Sequence, residues 1–429
     1  MRVLCAGDLH IGRRSSRIPA GLDGPGFASA AAWDAIVDAA VDRRVDLLAL
    51  SGDVVDRANR YFEALGPLER GLRRLAQAGI PTVAVAGNHD FDVLPRLVDA
   101  LPLDGFHLLG RGGRWERRTV AGRDGGALHV DGWSFPQEHV LDNPLDGYAG
   151  SHDGLPVLGL LHADLDQPRS VYAPVPLAGL REQPVALWLL GHLHAPRELR
   201  DGRGPVVLYP GTPQALDPGE PEAHGAWLAE LEPDTTRLRR LPISSVEYQP
   251  LAVDLTGVAT EEALQARLAD AVRGALQQTR ERPESARVQC VCCRLTLTGR
   301  TPLHRRLRGL VEGQLTDLEL ALDEVTAVVE HVDFATRPAL ELARIAARND
   351  PPGEVARLIQ GLASSEIPAD CRAVVTHALE QLQGVRRAGA FADAADDPEP
   401  TVETARSLLL AEAWTLLDTL MAQREEVRG

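Results

Sequence analysis

Five short apolar runs in the first half of the chain each end on residues of metal-ligating type, and this coincidence constrains the fold more than any other feature. Residues 2–7, 45–51, 81–86, 156–162 and 185–191 are short, apolar and closed by glycine or polar residues, which predicts buried strands. Between them, 28–43 and 61–78 carry apolar residues at helical spacing, as at Trp33, Ile36, Val37 and Ala40, which predicts amphipathic helices. Strand alternating with helix implies a largely parallel sheet covered by helices. In such sheets, ligands bind in the crevice beyond the carboxyl ends of the strands.

At those ends stand Asp8-Leu9-His10, Gly52-Asp53-Val54-Val55-Asp56-Arg57, Gly87-Asn88-His89-Asp90, His162 and Gly191-His192-Leu193-His194. Asp, Asn and His offer oxygen and nitrogen to ions such as Mn, Fe or Zn, and no thiolate belongs to the pattern. A carboxylate such as Asp53 can bridge two ions, and two ions about 3.5–4 Å apart clamp an in-line phosphoryl displacement. Singly, Asp-x-His and Gly-x-His-x occur at chance level, and a lone His162 reads as a core or solvated histidine. Packing does not explain the whole series, one element per strand end.

The rest of the chain is less regular. Residues 105–150 are Gly-rich and read as irregular, 205–210 and 225–231 as strands, and a boundary falls near 245–255. A helix is expected over 260–280, with Leu264, Leu268, Val272 and Leu276 on one face, then a β segment at 287–298 and a helix from 302 to 313. From 336 on, short helical patterns are separated by Asn349-Asp350-Pro351-Pro352-Gly353, Ile367-Pro368 and the acidic Asp393–Pro400 linker. The last, 402–427, carries Leu408, Leu409, Ala413, Leu416, Leu417 and Leu420. This divides the chain into 1–250, 251–335 and 336–429.

Composition excludes some classes. A net charge of −16 argues against a polybasic binder, though local patches decide nucleic-acid contact. No apolar run approaches the roughly 20 residues of a membrane span. Five cysteines are too few for a disulfide framework and fit a reducing cytoplasm. Cys290 and Cys292 share one strand face and Cys293 points away, so three thiolates cannot converge.

The motif series resembles the phosphoesterase motifs of the calcineurin-like metallophosphoesterases. Asp8-Leu9-His10-Ile11-Gly12-Arg13 and Gly87-Asn88-His89-Asp90 look most like the bacterial SbcD/YhaO-type DNA repair exonucleases. The segment Arg294–His304 resembles the small domain that follows the nuclease core there. The resemblance implies a four-layer α/β/β/α sandwich, a small α/β cap and C-terminal helices. It implies one metal on Asp8, His10, Asp53 and His194, and a second on Asp53, Asn88, His162 and His192. Manganese comes first among the candidate ions, with Fe, Zn or Mg as alternatives. His89 would contact the scissile phosphate, and activated water would be the nucleophile, without a covalent intermediate. Some family members carry a second histidine where Asp56 stands here; Asp56 would orient His89, or simply be a carboxylate at a helix start.

The implied activity is phosphodiester hydrolysis on DNA, 3′-to-5′ exonucleolytic, in double-strand-break repair. Alternatives are a phosphatase or small-molecule phosphodiesterase with the same metals, and a scaffold regulating an ATPase. Arg13, Arg14, Arg17, Arg57 and Arg60 are candidate phosphate contacts. From 285 to 311 six arginines (287, 294, 300, 305, 306, 308) stand without an acid, which suggests a nucleic-acid or partner surface. The leucine-rich last helix must bury its face, either on this chain or on an SbcC-type coiled-coil ATPase. The resemblance also implies a homodimer paired through core helices, with 61–78 as the candidate. His152 is the alternative to His162.

Overall fold

Strand β1 (Arg2–Ala6) is apolar beyond Arg2 because both of its faces are covered: Leu4 and Ala6 look into one layer, Val3 and Cys5 into another. The computed structural model describes residues 1–18, 22, 24–56, 60–100, 104–151, 153–202, 204–221, 223–232, 235–314, 319–386 and 399–426. After β1 come α1 (Ser29–Asp42), β2 (Leu47–Leu50), α2 (Arg60–Gln77), β3 (Thr82–Ala84), α3 (Val93–Ala100) and β4 (Phe106–Leu108). β1 to β4 pair in parallel, as strand–helix alternation predicts. Trp33, Ile36, Val37 and Ala40 of α1 and Ala64, Leu68, Leu72 and Leu75 of α2 bury against Leu4, Leu48, Leu50 and Ala84. The Trp33 indole donates to the Pro67 carbonyl, 3.0 Å away, tying the two helices together.

The stretch read as irregular holds β5 (Glu116–Ala121) and β6 (Ala127–Trp133), an antiparallel hairpin. Its strand signal is masked by polar residues that the fold pairs off. Asp131 accepts from Arg117 Nε and Nη2 (2.6 and 2.7 Å) and from the Tyr148 hydroxyl (2.7 Å). His129 sits between Thr119 and Asp153, 2.9 Å from each. With β7 (Val157–His162), α4 (Leu177–Arg181), β8 (Leu187–Gly191), β9 (Arg197–Leu199) and β10 (Val206–Tyr209), these strands form a second sheet ordered β5-β6-β7-β8-β10-β9. β11 (Gly225–Glu232) returns to the first sheet beside β1, and β12 (Thr235–Pro242) edges it.

The two sheets face each other through Val3, Cys5, Leu47, Ala49, Val83 and Val85 on one side and Leu128, Val130, Leu158, Leu160, Leu187 and Leu208 on the other. The outer face of the second sheet is covered by Leu145, Leu180 and neighbouring loops. The result is the expected α/β/β/α sandwich. Gly159 permits one of its close approaches: a Cβ there would stand 2.2 Å from the Trp188 ring. Gly159→Ala is therefore expected to cost about 1–3 kcal/mol by overpacking. Urea denaturation followed by tryptophan fluorescence reads this directly; an unchanged midpoint would show that Trp188 can move aside.

β13 (Val246–Asp254), α5 (Glu261–Glu281), β14 (Cys290–Thr298), β15 (Arg300–Thr301), α6 (Leu307–Gln314), β16 (Glu319–Leu322), β17 (Val325–Phe334) and β18 (Arg337–Pro338) follow. β13 was not anticipated because Pro250 interrupts it. It is an edge strand in the order β13-β14-β17-β16, where proline is tolerated. α5 buries the expected Leu264, Leu268, Val272 and Leu276. Cys290 and Cys292 share a core with Tyr248 and Val328, and all the cysteines are free.

The described chain forms two compact units, 1–299 with 305–336, and 300–304 with 337–429. The second holds α7 (Leu342–Ala346), α8 (Pro351–Ala363), α9 (Ala369–Arg386) and α10 (Val402–Glu426). The Asp350-Pro351-Pro352 breaker also starts α8: Asp350 caps it, accepting from Gly353 N at 3.1 Å. α10 divides its leucines: Leu417 and Ala413 bury with Ala356 and Ile359 of α8, whereas Leu408 and Leu416 are about half exposed. Among the described residues no helix is long and apolar enough to cross a membrane.

Four of the six arginines in the run 285–311 are paired with acids, and Arg287 is exposed. Arg294 pairs with the buried Glu330, Arg306 with Glu261 and Arg308 with Glu312. In the second unit, Arg300 forms a bidentate pair with Asp418 over the Trp414 ring. The balancing acids come from elsewhere in the sequence, or from just beyond the run, so local composition misreads the surface.

Candidate metal centre

The strand ends converge because the polar loops behind them are stitched together. Asp8 N donates to Gly52 O (3.0 Å) and His10 N to Asp53 O (2.9 Å), joining the first two loops. Asp90, fully buried, accepts from Val54 N (2.7 Å), Val55 N (3.3 Å) and Gly87 N (2.8 Å), joining the second to the third. His192 N donates to both Asp8 oxygens (2.9 and 3.2 Å), joining the last to the first. Asp8, His10, Asp53 and His192 take left-handed backbone angles (φ 51°, 45°, 49° and 98°). Each such residue costs about 1–3 kcal/mol and persists only where its surroundings enforce it. Glycine is required beside them: a Cβ on Gly87 would lie 2.2 Å from Asp53 Oδ1, and one on Gly191 2.1 Å from Ser51 O.

Asp8, His10, Asp53, Asn88, His162, His192 and His194 all converge on one cluster. His10 Nε2 and His194 Nε2 face each other at 3.2 Å. Asn88 Oδ1 lies 2.9 Å from His162 Nε2 and 3.3 Å from His192 Nδ1, and Asp53 Oδ2 lies 3.5 Å from His162 Nε2 and 3.9 Å from His10 Nε2. Ligand atoms of Asp8, His10 and His194 stand within 4.8 Å of one another, as do those of Asp8, Asp53 and His162. His10, Asp53 and His89 form a third such group, and His89, the one partly exposed member, stands at the rim of the same cluster. Its backbone N–H donates to Asp53 Oδ1 at 2.9 Å.

The electrostatics suit cations. Burial pushes the Asp8 carboxyl up to about 8, so the folded chain favours its charged form only when a positive charge is near. Burial opposes ionisation of Asp53 too, but His162, His10 and His89 around it hold it below the usual carboxylate range. Burial lowers His10 and His192, and takes His162 down to about 4, leaving neutral imidazoles with lone pairs to offer. Burial also works against a charged His194, yet the Glu220 hydrogen bond holds it above its usual value. Two buried carboxylates, an amide oxygen and four imidazole nitrogens converging on one point, with no arginine among the described residues that close in on it, fit a pair of divalent ions.

Sequence reasoning missed the residues behind the histidines. Glu220 Oε1 lies 2.6 Å from His194 Nδ1, Asp164 Oδ1 3.4 Å from His192 Nε2, and the Ser51 carbonyl 3.1 Å from His162 Nδ1. Asp164 had a signal, standing two residues after His162; Glu220 had none, lying in a polar loop 26 residues from its partner. Asp56, expected to orient His89, also contacts His10. It stands beside His10, with 3.5 Å between Asp56 Oδ1 and His10 Nδ1, whereas His89 Nδ1 is buried and accepts no hydrogen bond among the described residues. Asp56 therefore does not orient His89 through that nitrogen.

Of the arginines proposed to hold phosphate, Arg13 is half-buried, and Arg14 and Arg17 are exposed on the loop after His10. Arg57 and His152 lie outside the described residues, as does the side chain of Arg60, which begins α2.

Comparison with known proteins agrees with this geometry. Residues 1–196 match the calcineurin-like phosphoesterase family, and residues 248–337 the middle domain of the metallophosphoesterase YhaO. The chain is 26% identical over 321 residues to the uncharacterized metallophosphoesterase YhaO of Bacillus subtilis, covering 70% of this chain and 71% of that one. It is 29% identical over 274 residues to the DNA double-strand break repair protein Mre11 of Haloferax volcanii, covering 60% of this chain and 55% of the relative. The corresponding protein of Aeropyrum pernix is 29% identical over 273 residues, 59% of this chain and 64% of the relative. The match thus spans less than two thirds of either archaeal protein. Strand-end ligands, stitched loops and family match together identify residues 1–196 as a calcineurin-like phosphoesterase domain, followed over 248–337 by a YhaO-type middle domain.

Proposed function

We propose that the protein is a two-metal phosphodiesterase acting on DNA, a 3′-to-5′ exonuclease of double-strand-break repair. The observation that carries the metal chemistry is the buried cradle in which His10, His162, His192 and His194 each turn one ring nitrogen toward Asp8, Asp53 and Asn88. The DNA substrate is supported by the likeness to the Mre11 repair proteins. Asp8, His10, Asp53 and His194 would hold one ion, and Asp53, Asn88, His162 and His192 the other. A bound pair of divalent ions supplies an acidified water and a clamp on the phosphoryl oxygens.

The chain's own residues do the rest. Asp53 stands between the two donor groups and accepts the His89 N–H, so it also sets where the His89 ring lies. His89, at the rim, would give a proton to the leaving oxygen or stabilise its developing charge. Arg13, Arg14 and Arg17, on the loop after His10, would hold phosphates of the strand. The half-exposed Leu408 and Leu416 of α10 support docking of a coiled-coil ATPase of the SbcC type.

Mn²⁺-dependent degradation of end-labelled duplex DNA, run beside bis-p-nitrophenyl phosphate, tests this. Stepwise shortening from one 3′ end is the expected result. Turnover of the small ester with DNA left intact, with or without an ATPase, would replace it by a phosphatase or small-molecule reading.

A further inference from the structure

We propose that the two metal positions are unequal: the one formed by Asp8, His10 and His194 holds its ion tightly, the one formed by Asn88, His162 and His192 loosely. Glu220 is the positioning residue that sets the difference. This rests on the two-metal reading above and concerns how this chain supports each position.

Each histidine turns its second ring nitrogen outward, and what it meets there differs. His194 Nδ1 donates to Glu220 Oε1 at 2.6 Å. Glu220 is itself locked, because its other oxygen accepts from Leu216 N (2.7 Å) and the Thr212 hydroxyl (3.4 Å). Its side chain is only 9% exposed, so water does little to weaken the pair. His10 Nδ1 stands 3.5 Å from a second carboxylate, Asp56, a charge contact without a hydrogen bond, and Asp56 is more deeply buried than its counterpart Asp164. On the other side, His162 donates to the neutral Ser51 carbonyl. His192 lies 3.4 Å from Asp164, whose side chain is 24% exposed and whose other oxygen is occupied by the Ser170 hydroxyl.

An imidazole that gives its N–H to a carboxylate becomes a stronger donor to a cation than one that gives it to an amide carbonyl, and its ring is held in place. The inner ligands add to the contrast. Asp53 is shared, but the first position adds the Asp8 carboxylate where the second adds the neutral Asn88 amide. Counting Asp8, Asp53, Asp56 and Glu220 against Asp53 and Asp164, the first position faces two more negative charges than the second. Geometry and charge point the same way.

The test is Mn²⁺ titration of the full chain after chelator treatment, followed by calorimetry and by electron paramagnetic resonance, neither of which needs turnover. The expected result is two binding steps at least about tenfold apart, with an isolated Mn²⁺ signal at one equivalent that broadens as the second ion couples to it. Glu220→Gln weakens the tight step by about 10–100-fold, the range for partners behind a metal ligand. Asp164→Asn shifts only the loose step, and circular dichroism confirms that both variants fold. Two indistinguishable steps in the wild type, or equal weakening of both steps by Glu220→Gln, would overturn the asymmetry and leave the two-metal reading standing. Failure to bind a second equivalent up to millimolar Mn²⁺ would sink both.

Discussion

Asp53→Asn is expected to abolish metal-dependent hydrolysis of phosphodiesters while the protein stays folded. The substitution keeps the shape of the side chain, and the amide oxygen can still accept the His89 N–H that Asp53 Oδ1 accepts at 2.9 Å. What it removes is the negative charge shared by both donor groups, set among His10, His89 and His162. Charge stabilisation by a metal pair is worth several kcal/mol of the barrier. Each 1.36 kcal/mol is a factor of ten, so a loss of about 10³-fold or more in kcat/KM follows. Metal content after gel filtration should fall below two ions per chain, with an unchanged far-ultraviolet spectrum. A variant that keeps both ions and turns over within about tenfold of wild type would remove Asp53 from the centre of the site.

His89→Gln should separate chemistry from metal binding. His89 stands at the partly exposed rim of the ligand cluster, and its Nδ1 has no hydrogen-bond partner among the described residues. A general acid contributes about 10²–10⁴-fold, so kcat on DNA should fall by that amount with metal content intact. The size of the loss should depend on the leaving group. An oligonucleotide departs as an alkoxide that needs a proton, whereas p-nitrophenolate leaves as a stable anion. The loss on bis-p-nitrophenyl phosphate should therefore be clearly smaller. Equal losses on both substrates would assign His89 to charge stabilisation on the phosphoryl group instead, and loss of an ion would make it a ligand.

The parts of the molecule legible in the sequence were those whose signal is local. β1, β2, β3, β7 and β8 are apolar runs because they are buried on both faces, and a buried run cannot hide its pattern. A ligand at the end of each run is conspicuous for the same reason, since nothing in the strand's packing accounts for it. Thus the candidate ligands and the parallel, helix-covered sheet are legible from residues alone, whereas the four-layer order follows only from the resemblance to the metallophosphoesterases. The β5–β6 hairpin is not legible, because Arg117, His129 and Asp131 look like loop residues until their partners across the sheet are known. β13 was hidden by Pro250, which only an edge position allows.

Tertiary structure alone decided which groups stand behind the ligands. Glu220 reaches His194, and Asp56 turns to His10, because the packed sheets bring separate loops to one point, and side-chain partners at that range leave no periodic trace in the chain. The same holds for charge. Arg306, Arg294 and Arg300 read as part of a basic patch along the chain but meet Glu261, Glu330 and Asp418 in space, and Coulomb energy depends on distance through the fold, not on separation in sequence. In the C-terminal helix, likewise, the sequence established that a leucine-rich face must be covered. Packing on α8 and α9 determined that Leu417 is covered and that Leu408 and Leu416 are left half exposed. The kinds of atom offered to a ligand were therefore set by sequence. Which of them are charged, oriented or exposed was set by the contacts that folding creates.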